Sequence, residues 1–302
     1  MADINRLDVS TAIEEAYSQT LLAAAVAGSS VLQAFPTVNL GTKLTHLPVL
    51  ATLPEASWVS ESATDSSGVK PTTEVNWADL TMVVEELACI VPVHEDVLAD
   101  ATAPVLEEVT ARAGEAIGKK LDQAVLFGTG KPASWVSEAV YSAASSASQT
   151  ITHVTGDANV ADLPGAIMQS ARQVAEAGFQ PDTLIAPLTF RYDVANIRDG
   201  EGLPAWRDES FAGMNTVLNR NGAWTGAGVQ ALVADSSRIR IGVRQDITVK
   251  FLDQATVGSI NLAERDMVAL RFKARYAYVL GKHATSLGAA KTPVSAVVNS
   301  GS

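Results

Sequence analysis

"VLEEVTARAGEAIGKKLDQAVLFGTGKPASW", residues 105–135, decides how the rest of the chain is read. Its Gly128-Thr-Gly-Lys131 string is what a phosphate cradle would offer, because glycine turns expose backbone N–H groups and lysine adds charge. Spacing and orientation argue otherwise. A P-loop carries a glycine five residues before its second glycine and a Ser or Thr after the lysine, and it opens a helix. Here Val125 stands five before Gly130, and Pro132 follows Lys131. The helical pattern lies upstream instead. Pro104 suits a first-turn position. Glu107 and Glu108 sit near the start and Lys119 and Lys120 near the end, as the helix dipole prefers. Leu106, Val109, Ala113, Ile117, Leu121 and Ala124 recur on one face. The spacing predicts a helix over 104–127, with Gly128 and Gly130 as its structural stop, Gly128 in a left-handed cap.

Composition narrows the class of protein around that helix. The chain has 302 residues, 47% hydrophobic and 18% charged, enough for a sizeable core and two subdomains. A net charge of −11 argues against gripping nucleic acid through a broad basic face. The single cysteine, Cys89, excludes an intramolecular disulfide and fits a reducing compartment. The apolar stretch "LLAAAVAG" (21–28) follows Glu14 and Glu15 and is too short to span a bilayer, so neither an export signal nor a membrane segment is expected.

Upstream, Thr11 and Glu14 form a capping box, and Ile13, Tyr17, Leu21 and Ala25 predict a helix over 12–27 that ends at Gly28. Residues 29–54, with three prolines and no helical period, read as an extended arm. "ASWVSES" (56–62), a polar tip at 63–73 and a strand-like run over 75–93 read as one long hairpin. Residues 133–160 read as a Ser/Ala-rich connector. Helices near 162–178 and 188–200 flank a buried strand at 182–187, an α/β arrangement that continues to about residue 240 and includes the Asn221-Gly222 turn. Over 268–280 the even positions are apolar, whereas Arg271, Lys273 and Arg275 occupy odd ones, so one strand face is apolar and the other cationic. The tail from 289 reads as loose.

Catalytic motifs fail one by one. His94-Glu95 lacks the second histidine of a zincin, because Leu98 occupies that position; the remaining histidines are isolated. No Gly-x-Ser-x-Gly elbow is present, and Cys89 lies in an apolar strand where a packed thiol is expected rather than a nucleophile. Glu85 and Glu86 point to opposite faces of a strand and so do not form an acid–base pair. An α/β hydrolase or transferase would need a site, and none is offered. No enzyme activity, cofactor or metal is expected. A long hairpin is different: two strands alone in water are marginal, so the hairpin needs a core or another chain to cover it. Association is the expected role. Trp58, Glu61, Lys70, Glu85, Glu86, Arg271, Lys273 and Arg275 are candidate intersubunit contacts.

These segments, in this order, resemble the major capsid proteins of tailed bacteriophages with the Hong Kong 97-type fold. "ASWVSES" and "LTMVVEELACIVPVHEDVLAD" are similar to that family's extended loop and its return strand. The opening stretch is similar to its spine helix and the stop after it. "RDGEGLPAW" resembles a loop of the axial domain, and "ERDMVALRFKARYAYVLGKHATSLG" the C-terminal peripheral strand. The resemblance covers roughly residues 20–288. It implies an α+β chain divided into an N-terminal helix and arm (1–54), an extended hairpin loop (55–93), a peripheral domain (94–150 and 241–288), an axial domain (151–240) and a flexible tail (289–302). It further implies pentamers and hexamers of one chain closing into an icosahedral shell around double-stranded DNA, enclosed without sequence-specific binding. Portal, scaffolding and decoration proteins are the implied further partners, with assembly in the bacterial host cytoplasm and a final place in the virion. The short N-terminal helix and arm imply a separate scaffold or none. Lys70 lies near the loop tip, but its acid and asparagine partners find no match, so cross-linking is not expected. The rival of the same fold is an encapsulin, a bacterial compartment shell, against which the extended arm argues.

Overall fold

In the computed structural model the long helix runs over Val105–Asp122 and passes into a wider π turn, Gln123–Phe127. Residues 25, 28–50, 77–96, 105–153, 163–195, 213–226, 228–252, 255–281 and 291–299 are described. Ala113, Ile117, Leu121 and Ala124 are buried along the face that their spacing predicts, beside Val125 and Leu126. The helix stops at Gly128, where φ is +74°. The Gly128 N–H reaches the Ala124 carbonyl at 3.1 Å and the Thr129 N–H reaches Gln123 at 3.0 Å. A side chain at that φ would crowd the following carbonyl, so glycine is required there.

Two sheets pack around this helix. One has the order β1-β9-β12-β4, from Thr37–Asn39, Ile239–Leu252, Met267–Leu280 and Glu85–His94. Strand β12 puts Leu270, Phe272, Ala274, Tyr276, Tyr278 and Leu280 into the core shared with the helix, as its alternation predicts. The other has the order β5-β13-β8-β6-β7, from Thr150–His153, Val294–Asn299, Val229–Ala234, Thr183–Pro187 and Asn215–Asn219. One face of this second sheet joins the same core through Ile185, Val217 and Leu232. Its other face is covered by helices Leu163–Glu176 and Phe190–Ala195 around Ile167, Leu184 and Val233.

The structure corrects several expectations. The tail is no loose end: Val294–Asn299 is the second strand of the five-stranded sheet, pairing with β5 on one side and β8 on the other. Val294, Ala296 and Val297 are fully buried. A six-residue strand with small polar neighbours gives almost no periodic signal, and only its two partners reveal it. The connector 133–160 contains a helix, Val140–Ser146, that buries Val140, Ala143 and Ala144, and strand β5. The arm contains a short helix, Ser30–Ala34, that its irregular sequence hides.

The hairpin boundaries of 55–93 also shift. The run that reads as one strand breaks at Val84. Trp77–Val83 (β3) pairs antiparallel with Leu44–Leu50 (β2), in the region taken as unpaired arm, whereas β4 belongs to the four-stranded sheet. Pro48 and weak alternation conceal β2. The base of this stem packs through Met82 and Val84 against Ala277 and Val279 on the outer face of the four-stranded sheet. Gly242 permits that approach, since a Cβ there would collide with Leu40 and Met82. The expected helix over 12–27 lies outside the described residues apart from Ala25, and so does the hairpin tip.

Candidate assembly surface

The outer face of the four-stranded sheet carries the cationic row, beyond the patch that the stem covers. In register across it stand Ile90, Arg271 and Lys250, then Ala88, Lys273 and Thr248. Glu86 faces Arg275 one step further on. Lys273 Nζ lies 2.6 Å from Glu86 Oε2, and Arg275 lies 3.5 Å from the same oxygen. The hydrogen bond from Lys273, aided by the charges of both cations, holds the Glu86 carboxyl below the usual carboxylate range. Two of the three cations expected as intersubunit contacts, Lys273 and Arg275, are therefore engaged by Glu86 of their own chain. Periodicity placed these groups on one face; which carboxylate met them depended on β4 lying beside β12.

Arg271 and Lys250 are different. They sit directly opposite each other, and among the described residues neither has a carboxylate within ion-pair distance. Glu85 stands in register with Tyr276, off the cationic face by strand alternation. Trp58, Glu61 and Lys70 lie outside the described residues.

The Gly-Thr-Gly-Lys string has a local task. Lys131 donates from Nζ to the carbonyls of Trp135 and Ser137, both at 2.7 Å, which occupies the charge that a phosphate would need. Trp135 then donates from its indole to the Val83 carbonyl at 3.0 Å and packs 6.0 Å from the Tyr278 ring. The helix stop thus turns the chain back to brace the root of the stem. Among the described residues no group of three His, Cys, Asp or Glu is placed to hold a metal. No described helix is long and apolar enough to cross a membrane.

A second polar cluster escaped the sequence reading. Asp122, fully buried, ends the long helix and accepts six hydrogen bonds. Its Oδ1 accepts from Ser29 Oγ (2.6 Å) and the Val31 N–H (3.1 Å). Its Oδ2 accepts from the Ser30 N–H and Oγ (both 2.9 Å), Asn219 (3.1 Å) and Asn221 (2.8 Å). One carboxylate ties the base of the N-terminal arm to the long helix and to the end of β7. Burial pushes its carboxyl above the ordinary range, and hydrogen bonds from Ser29, Ser30, Asn221 and Val31 pull the other way. A signal was available: an acid in the last turn opposes the helix dipole and so needs a partner.

Comparison with known proteins bears on this surface. Residues 11–284 match the model of the phage capsid family. Among solved structures, a chain of Mycobacterium phage Bobi is 66% identical, with 100% of each chain covered and a TM-score of 0.84. A chain of Mycobacterium phage Adephagia is 62% identical over 100% of this chain and 99% of that one, with a TM-score of 0.84. A chain of Microbacterium phage Oxtober96 is 33% identical over 90% and 91%, with a TM-score of 0.81. No curated protein matches the chain.

Proposed function

Because this chain belongs to the phage capsid family and is the major capsid protein of a tailed phage, a structural protein of the virion shell, we propose that its copies associate as hexamers and pentamers. These close into an icosahedral shell around double-stranded DNA. In this reading the axial domain is built on residues 151–240 together with the C-terminal strand, and it lines the centre of each capsomer. The peripheral domain, 94–150 and 241–288, carries the long helix and the four-stranded sheet. The loop that the stem supports extends over an adjacent copy. Portal, scaffolding and decoration proteins act as further partners, and the subunit is made in the host cytoplasm.

The observation that carries this reading is the stem. Strands β2 and β3 form a two-stranded sheet with no third strand among the described residues. Its base is covered by the four-stranded sheet, yet Leu44 remains 49% exposed. Two strands alone are marginal in water, so a neighbouring surface completes them in the shell. A second copy is the economical neighbour in a protein that makes a shell from itself.

Shortening the loop by joining Ser62 to Thr72 tests the reading. The remaining domains keep their cores, so the variant stays folded by circular dichroism. Sedimentation and negative-stain microscopy then show monomers or small capsomers where the wild type gives closed shells. Closed shells from the shortened chain would make the loop an ornament and overturn the reading.

A further inference from the structure

The solvent side of the long helix carries a cleft of about 590 Å³. Arg112, Glu115, Ala116 and Lys119 line it at helical spacing, and Gly28, Arg220 and Asn221 close its edge. Ala113, Ile117 and Leu121 point the other way, into the core against the four-stranded sheet. The stem packs on the outer face of that sheet. The cleft therefore opens on the side of the subunit away from the stem.

Three cations meet one carboxylate in it. Glu115 engages Arg112 at 3.0 Å. Among the described residues, Lys119 and Arg220 have no carboxylate within ion-pair distance. The backbone that carries Arg220 is held in place from both sides. Asn219 and Asn221 donate to the buried Asp122 at 3.1 and 2.8 Å, and Asn221 also donates to the Gly28 carbonyl at 2.5 Å. The following turn comes close to Lys119, since a Cβ at Gly222 would stand 3.5 Å from its Nζ. Folding thus brings two unanswered cations from distant segments to one fixed place. Arg112 and Lys119 are two helical turns apart, about 10 Å along the axis. One strand of duplex DNA advances about 3.4 Å per phosphate, so that span matches about three phosphates.

We propose that this cleft holds backbone phosphates of the enclosed DNA, on Lys119 and Arg220 with Arg112 at the far end. This rests on the shell-forming reading above, in which copies overlap on the stem side and the opposite side looks onto the DNA. Guanidinium forks and a lysine ammonium are suitable donors to phosphate oxygens. Contacts of this kind carry no sequence preference. A narrow cleft also serves where a net charge of −11 denies the chain a broad basic face.

Titrating unassembled full-length subunits with a short double-stranded DNA, at several salt concentrations, tests the proposal. Lys119→Gln/Arg220→Gln should leave the circular dichroism spectrum unchanged and weaken binding about tenfold. It should lower the salt slope by about two, one for each lost phosphate contact. The loss should be the same for a second DNA sequence. Lys119→Arg/Arg220→Lys keeps both charges and should retain the wild-type slope. Lys250→Gln/Arg271→Gln removes the same charge from the opposite side of the sheet and should change neither affinity nor slope.

Wild-type subunits that do not bind the DNA, or a cleft variant with unchanged affinity and slope, would overturn the proposal. Equal losses from the two neutralised pairs would reduce the effect to net charge. Polyglutamate bound as tightly as DNA, and lost in the same variant, would assign the cleft to a carboxylate-bearing protein segment instead. Should the double variant misfold, Lys119→Gln alone, at an exposed helix position, should lower the slope by about one. An unchanged slope there would be equally fatal. Failure of the broader reading looks different: the wild type would then form no closed shells by negative stain, whatever its subunits do with DNA.

Discussion

Two charged clusters of this subunit are finished in opposite ways. Around Asp122 the charge is answered inside the chain: six donors from two segments, 29–31 and 219–221, surround one carboxylate with no access to water. On the outer face of the four-stranded sheet, Glu86 meets only the nearer half of a cationic row, and Arg271 and Lys250 are left facing outward. A buried charge without partners would cost several kcal/mol, so the interior cluster has to close within the folded chain. Exposed cations lose little by waiting in water, so a surface row can remain open for a second molecule. The inner cluster holds the subunit together, and the outer row leaves Arg271 and Lys250 without a carboxylate among the described residues.

Perturbing each cluster sharpens the contrast. The most severe break removes the platform of the inner cluster. Asn219 ends β7, which belongs to the five-stranded sheet, and β13 is the second strand of that sheet. Ending the chain after residue 290 strips partners from both β5 and β8 and exposes their apolar faces. Expression of that truncated chain should give no soluble folded subunit. A soluble, cooperatively melting product would mean that β13 is dispensable.

Next is Asp122→Ala. It leaves six donors without an acceptor in a site closed to solvent, at a cost of about 3–5 kcal/mol. Denaturant unfolding should register that loss, and hydrogen exchange should show the Ser30 and Val31 amides losing protection first. A loss below about 1 kcal/mol would mean that water takes the place of the carboxylate.

The smallest effect belongs to the outer row. Glu86→Gln should lower subunit stability by less than about 1 kcal/mol, as for exposed ion pairs in general. Its pH dependence is specific. The folded carboxyl of Glu86 lies below its ordinary value of 4.5, so its contribution is present above that value. It disappears as pH falls through the folded value. The difference in melting temperature between wild type and variant should therefore be largest near neutral pH and close in acid. A difference that grew in acid would contradict the pairing.

The long helix, its glycine stop and the alternation of β12 were legible because each is a local pattern of period 3.6 or 2 that tertiary structure then used unchanged. The two-faced strand that carries Arg271, Lys273 and Arg275 was legible for the same reason. The paired strand at 44–50 and the buried strand at 294–299 were not. Pro48 weakens the first, the second is six residues long, and each exists because a partner strand distant in sequence supplies its hydrogen bonds. Asp122 lay hidden in a run of charges near a helix end, and its donors come from about 92 residues before it and 97 after it.

By itself, the sequence determined which segments are helix or strand where the apolar period is long, which face of β12 is charged, and where the long helix must stop. These follow from side-chain geometry over a few residues. Only the tertiary structure decided that Glu86 answers Lys273 and Arg275, that Lys250 stands against Arg271, and that Asp122 joins the arm, the helix and β7. Those outcomes depend on which distant strands become neighbours. Neighbours are chosen by burial of the whole apolar surface at once, a sum over the entire chain that no local period encodes.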